Sequence, residues 1–392
     1  MRWGVAVLVF WCMHAQAQRL PGFEIEDIET CTLLLEMDEQ QASLALDLFL
    51  RHTARFESTV APRARQHLER IGPPFEAGYR DRVRQHQQEH EAILREFAEL
   101  DETFFADLAS LLHEEQLPLM KRIRFARQRS ICRPSSNQLP EGNVDLVPLL
   151  YAERTSQNKA AMDAFLDDFE PRYVSALQES SEASIKSHAA FHEYEAIRIR
   201  LEALAEGDLR RADLEAKMHD SLTDSGDVML PGVESIVEMN RQALSHLKEV
   251  LDDSAWERMH TAFKQDSYEQ VYPDAGRADV LFKSAIALET LDDNQQLAIA
   301  QFQREYRYRY AALCNEMEES VMSRRLASYQ NNPNQRTKEW FRLEELGLAR
   351  EELNRRQIDK LRIILSREQL AQLPSWDFQK YPPSRPWMRR GQ

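Results

Sequence analysis

The sequence predicts an all-α protein, an elongated array of long helical hairpins in three related units, and three observations lead there. The stretch Ala287–Met322 contains no Gly and no Pro, and sets its larger apolar groups at Ile299, Phe302, Tyr306, Tyr310, Leu313, Met317 and Val321. Steps of three and four repeating every eleven residues, about 3.67 per turn, draw a continuous apolar stripe along one nearly straight helix. Composition agrees: 11 Gly in 392 residues, with 43% hydrophobic and 29% charged side chains, suits long helices better than sheet and turns. Thirdly, a Leu or Met followed four places later by Gln recurs at Met37/Gln41, Leu112/Gln116, Leu291/Gln295 and Leu365/Gln369. The first two glutamines stand 75 residues apart and the last two 74, which argues for duplication of a helical hairpin.

In chain order, residues 1–17 read as a secretory signal. Arg2 is followed by an apolar run from Val5 to Met13, and Ala15-Gln16-Ala17 offers a small-x-small cleavage site. Phe10 and Trp11 are too bulky to precede a lipoprotein cysteine at Cys12. The first helical unit is 18–131. Met37-Asp38-Glu39-Gln40-Gln41 opens its first helix, with Leu44, Leu48 and Phe56 on one side and Pro62 expected to kink or divide it. Gly72-Pro73-Pro74 makes a turn to a second long helix, and after Pro118 a basic helix runs to about Arg129. Residues 132–143, CRPSSNQLPEGN, are the clearest linker.

The second unit, 144–270, is a degenerate copy. Its ladder Met162, Phe165, Phe169, Tyr173 repeats the spacing of Ile299, Phe302, Tyr306, Tyr310, and Pro171 is expected to interrupt it. Asp224–Gly232 reads as a loop, and Leu251 opens a helix with Ala255 where the Gln would stand; the opening motif has decayed around Arg154–Asn158. The third unit, 271–373, holds the long helix, turns at Asn331-Asn332-Pro333-Asn334 and closes with Leu365–Gln369. The tail 374–392, rich in Pro and aromatics, reads as an extended strap.

Physically the motif is a helix start. Asp38, Asp252, Asp292 and Ser366 are N-caps whose oxygens can take an unpaired backbone N–H. The preceding Leu or Met can staple the chain, and the Gln can bond back across the first turn. With Leu365-Ser366-Arg367-Glu368-Gln369, Leu291-Asp292-Asp293-Asn294-Gln295 and the Met37 and Leu112 copies lying behind a signal segment, the sequence resembles the LTxxQ family of Spy/CpxP-like periplasmic proteins. That resemblance implies a helical, non-enzymatic protein and an ATP-independent chaperone or envelope-stress role, binding unfolded or partner proteins through apolar helix surfaces. The chain departs from it in its length, its acidity and the lack of Thr at the second motif position.

Other chemistry is sparse. His86 with His90, and His188 with His192, are i, i+4 pairs that place two imidazoles on one helix face. They are candidate metal ligands if a third arrives from another helix, or else solvated polar surface. This motivates the alternative of a periplasmic metal-binding sensor or buffer; a structural spacer in an envelope assembly is the third option. Of the cysteines left after signal removal, Cys31 and Cys132 flank the first unit and form the candidate disulfide, while Cys314 reads as a small buried hydrophobe. The basic run Lys121, Arg122, Arg124, Arg127 and Arg129 can dock an acidic partner or pair with the chain's own acidic helices. A net charge of −15 disfavours nucleic acid, and no cofactor motif or catalytic constellation is present in the sequence. His52, at the place matching Tyr306, reads as a half-buried packing residue.

Overall fold

The computed structural model describes residues 28, 31–32, 34–69, 79–132, 139–205, 208–272 and 277–374. The signal segment, the turn at 72–74, most of the linker and the tail beyond Pro374 lie outside these. Of the described residues 84% are helical and none is in a strand, which makes the protein all-α. None of its described helices is long and apolar enough to cross a membrane.

The helices are α1 (Glu39–Glu69), α2 (Tyr79–Ala109), α3 (Met120–Ile131), α4 (Leu146–Ala152), α5 (Lys159–Glu202), α6 (Arg210–Val250), α7 (Asp253–Ser267), α8 (Arg277–Ile286), α9 (Asp293–Tyr329), α10 (Pro333–Ile364) and α11 (Arg367–Ala371). They sort into two compact units. One takes the described residues of Met1–Gln138 with Asp145–Leu251, the other those of Leu139–Val144 with Asp252–Gln392.

In the first unit α1 packs antiparallel on α2, and α5 on α6, with α3 and α4 laid against α5. Helix α1 buries Ala45, Leu48, Phe49, His52, Phe56 and Val60, a 3–4 ladder that meets Ile93, Phe97, Leu100, Phe104, Phe105 and Leu108 of α2. Leu44 is not on this face: it is 42% exposed, one position off the ladder that Ala45 begins.

Three expected breaks are absent. Pro62, Pro171 and Pro231 all lie inside unbroken helices, and Asp224–Gly232 is part of α6 rather than a loop. Each proline is on the solvent side, so water can reach the carbonyl four residues earlier that loses its N–H partner. The small residues that suggested a loop serve close packing instead. Ser221, Ser225 and Gly226 are buried, Ser221 Oγ donates to the Ala190 carbonyl at 2.8 Å, and a Cβ on Gly232 would stand 3.0 Å from Ser180 Cα of α5.

In the second unit α7 rests against the 3₁₀ turn Pro140–Gly142, where Tyr268 Oη donates to Glu141 at 2.7 Å, and α8 packs on the α9–α10 hairpin. The stripe of α9 faces inward as the spacing predicts. Ile299, Tyr306, Met317 and Val321 are buried, and Phe302, Tyr310 and Leu313 pack at the edges of the cores. The helix begins at Asp293, so Ala287–Asp292 form the approach to it. Asn331, at φ 48°, takes the left-handed position that ends α9, and the Asn332 side chain caps α10 ahead of Pro333.

Gly232→Ala tests the α5–α6 contact. Alanine gains about 1 kcal/mol of helix propensity, but overpacking a contact made by backbone costs about 1–3 kcal/mol. We expect a lower urea midpoint, and a midpoint at or above wild type would contradict the close crossing.

Candidate functional site

The recurrent motif forms a polar constellation in each unit. Gln41 Oε1 accepts the Asp38 N–H at 3.1 Å while Asp38 Oδ1 accepts the Gln41 N–H at 2.8 Å, closing a capping box. Asp292 with Gln295 and Ser366 with Gln369 repeat that box. In the Leu112 copy, Gln116 Oε1 likewise accepts the His113 N–H, at 2.9 Å.

The glutamines also meet one another. Gln41 Nε2 donates to Gln116 Oε1 at 2.9 Å, and Gln116 Nε2 donates back to Gln41 Oε1 at 3.2 Å. Gln295 and Gln369 exchange the same two bonds, both at 3.1 Å. The second amide hydrogen of each reaches the carbonyl of the residue five places before its partner. Gln41 reaches Leu111 at 2.8 Å, Gln295 reaches Ile364 at 2.7 Å and Gln369 reaches Thr290 at 2.8 Å, while Gln116 reaches Glu36 at 3.1 Å and the neighbouring Leu35 carbonyl at 2.9 Å. Each side-chain oxygen therefore accepts two bonds and each amide nitrogen has at least two acceptors, so the polar capacity of every one of these glutamines is used. Around each pair the motif's apolar residues plug the core: Met37 and Leu112 in one unit, Leu291 and Leu365 in the other.

Of the places where sequence spacing suggested a decayed motif, Asp252 caps Ala255, at 2.8 Å. Asn158 accepts the Thr155 N–H at 2.7 Å and donates to the Glu153 carbonyl at 2.9 Å, so its shorter amide closes its own turn.

A second cluster lies under α3. His52 is buried rather than half-buried; its Nε2 is 2.9 Å from Asp101 Oδ1, and Asp101 Oδ2 accepts Arg127 Nε at 2.8 Å. Arg127 sits over the Phe97 ring at 4.8 Å and His52 meets Phe104 edge-on at 5.2 Å. The counterparts by distance from the motif are Tyr306 and Asn354, hydrogen-bonded at 2.8 Å. Sequence spacing had matched His52 with Tyr306. Their partners on the returning helix were missed, although Asp101 and Asn354 both stand fifteen residues before a motif glutamine.

The basic helix pairs with its own chain. Lys121 binds Asp167 at 3.0 Å, Arg122 binds Asp163 at 2.9 Å, Arg124 binds Glu102, and Arg129 bridges Asp145 and Glu170, both at 3.0 Å. Burial outweighs Arg129 and Arg122 at Glu170, which is 1% exposed, and raises its carboxyl above the usual range. Burial also pushes at Asp163, but hydrogen bonds from Arg154 and Arg122 prevail and hold it low.

Cys31 and Cys132 are not joined to each other: Cys31 is packed among Ile28, Leu35 and Leu48, and Cys132 caps the end of α3. Burial raises the Cys132 thiol to about 11 and raises the Cys314 thiol as well, so neither has the thiolate character of a nucleophile. His86, His90, His188 and His192 lie on α2 and α5, but their side chains are outside the described residues. Comparison with family models, curated proteins and solved structures gives no match to this chain. Chemically, the motif's groups are committed to one another and hold two helix ends together.

Replacing Gln41 or Gln116 with Ala should each cost about 1–3 kcal/mol, because buried carbonyls and an amide lose their partners. In denaturant unfolding the double variant should cost clearly less than the two summed; strict additivity would refute the pairing. The carboxylates predict opposite pH slopes. Glu170, raised when folded, contributes stability below its unfolded value, about 4.3, which is lost as pH rises through the folded value. The stability difference of wild type over Glu170→Gln should shrink from pH 4 towards neutrality. Asp163, held low, contributes above about 3.9 and loses that contribution on acidification, so the difference over Asp163→Asn should widen as pH rises. Urea titrations across this range check both signs.

Proposed function

We propose that this is an exported, non-enzymatic helical binding protein that holds apolar segments of unfolding or partner proteins, in the manner of the LTxxQ proteins its motif resembles. The observation that carries the reading is a set of three exposed apolar side chains on the solvent face of α10, spaced among Glu345, Glu352 and Asp359. Phe341, Leu348 and Ile363 are 59%, 54% and 83% exposed, and fall within about 60° of arc on the helix. They stand opposite Leu343, Leu346, Leu353 and Leu361, which fill the core, so folding does not use them. Since the motif amides bond internally, they supply a rigid frame and leave recognition to the helix faces. A net charge of −15 favours clients whose apolar segments are interspersed with Lys or Arg.

Light scattering of a chemically denatured client diluted into the chain from Gln18 onward tests the proposal. Suppression is expected at equimolar protein, and should be lost in Phe341→Ser/Leu348→Ser/Ile363→Ser while the melting temperature holds. No suppression by the wild type would end the holding role, and equal suppression by the triple variant would remove α10 as its surface.

A further inference from the structure

In the first unit the chain that follows Gln116 turns back onto its own hairpin as α3. Met120, four residues after the glutamine, and Ile123, seven after, are buried in the α1–α2 core, and Arg127, eleven after, reaches Asp101. Arg124, eight after the glutamine, pairs with Glu102, which stands fourteen before it.

In the second unit the chain that follows Gln369 carries the same kinds of side chain at the same distances. Leu373, four residues on, is buried in the α9–α10 core with the same 7% exposure as Met120. Trp376 then stands seven residues after the glutamine, Phe378 nine, as Phe125 does in α3, and Lys380 eleven. Eight after it comes Asp377, and fourteen before it Arg355, so both members of the Arg124–Glu102 pair have changed sign together. A reversal at one place alone would oppose like charges, whereas the joint reversal keeps the attraction.

The hairpin is open on this side of α10. Asn354 is half-buried and Arg355 exposed, its guanidinium held only in a surface pair with Glu352 at 3.2 Å, a kind of contact that contributes little. Leu373, Trp376 and Lys380 are spaced by three and four, which suits one face of a short helix. Pro374 is tolerated in a first helical turn, and Pro382-Pro383 would end it.

We propose that residues 374–381 dock on the α9–α10 hairpin as α3 docks on α1–α2, with Trp376 in the place of Ile123 and Asp377 paired with Arg355. Asn354 offers Lys380 no charge of the kind that Asp101 offers Arg127, so the docking rests on Trp376 and on that pair. Hydrogen exchange of the full chain, read by mass spectrometry over residues 375–381, tests it. These amides should exchange at least ~10-fold slower than those of the synthetic peptide 374–392. Arg355→Glu should speed them about 3-fold or more by opposing like charges, and adding Asp377→Arg should restore most of the lost protection. Trp376→Ala should remove it, while the amides of α9 keep their wild-type rates in every variant. Exchange at the rate of the free peptide, or a double reversal no slower than Arg355→Glu alone, would overturn the proposal. Loss of α9 protection alongside would make the effect the hairpin's own, and protection that falls on dilution would put a second copy's tail in this place; each also overturns it.

Discussion

The amide pair is the constraint on which each glutamine-bearing hairpin depends. A long antiparallel hairpin buries one stripe per helix, yet its ends leave backbone groups unpaired where chain must enter and leave. In this protein one residue type answers that problem four times. Each glutamine caps its own helix or turn through Oε1, covers the carbonyl that ends the opposite segment through Nε2, and joins the other glutamine in a closed ring of two bonds. The ring can form only at one relative height of the two segments, so it fixes their axial register as well as their ends. Glu36 shows how firmly this is imposed. It holds φ at 51°, a conformation costing about 1 kcal/mol or more for a residue with a Cβ, and its carbonyl is bound by Gln116.

Between the clasps the two glutamine-bearing hairpins have kept positions and changed chemistry. Ala45 and Ile299, both fully buried, stand four residues after their glutamines, while Leu108 and Leu361 stand eight before theirs. One inter-helix polar contact persists as His52–Asp101 in one hairpin and Tyr306–Asn354 in the other. The charged version has recruited Arg127 from α3. Breaking up such a buried group by removing one member leaves charge without compensation, so it ties α3 to the hairpin as the neutral version could not.

Much of this was legible beforehand. The stripe of α9 and the capping role of Asp38, Asp292 and Ser366 follow from spacing and side-chain chemistry alone. The contact between glutamines was latent in the near-equal 75 and 74 spacings, but a local motif does not show that two copies face each other. Asp224–Gly232 misled because a close helix crossing and a loop call for the same small residues. The prolines misled for a different reason: their effect depends on whether the freed carbonyl meets water, which a sequence does not state. Leu44 failed by one residue, since a stripe read from large side chains overlooks Ala45.

Because each side-chain amide completes its partner's bonding, the two positions are bound to drift together over evolutionary time. Loss of one strands a buried donor and acceptor on the other, and selection then favours losing both or restoring the first. Covariation between residues some 75 apart is thus the trace this architecture should leave in any set of homologues.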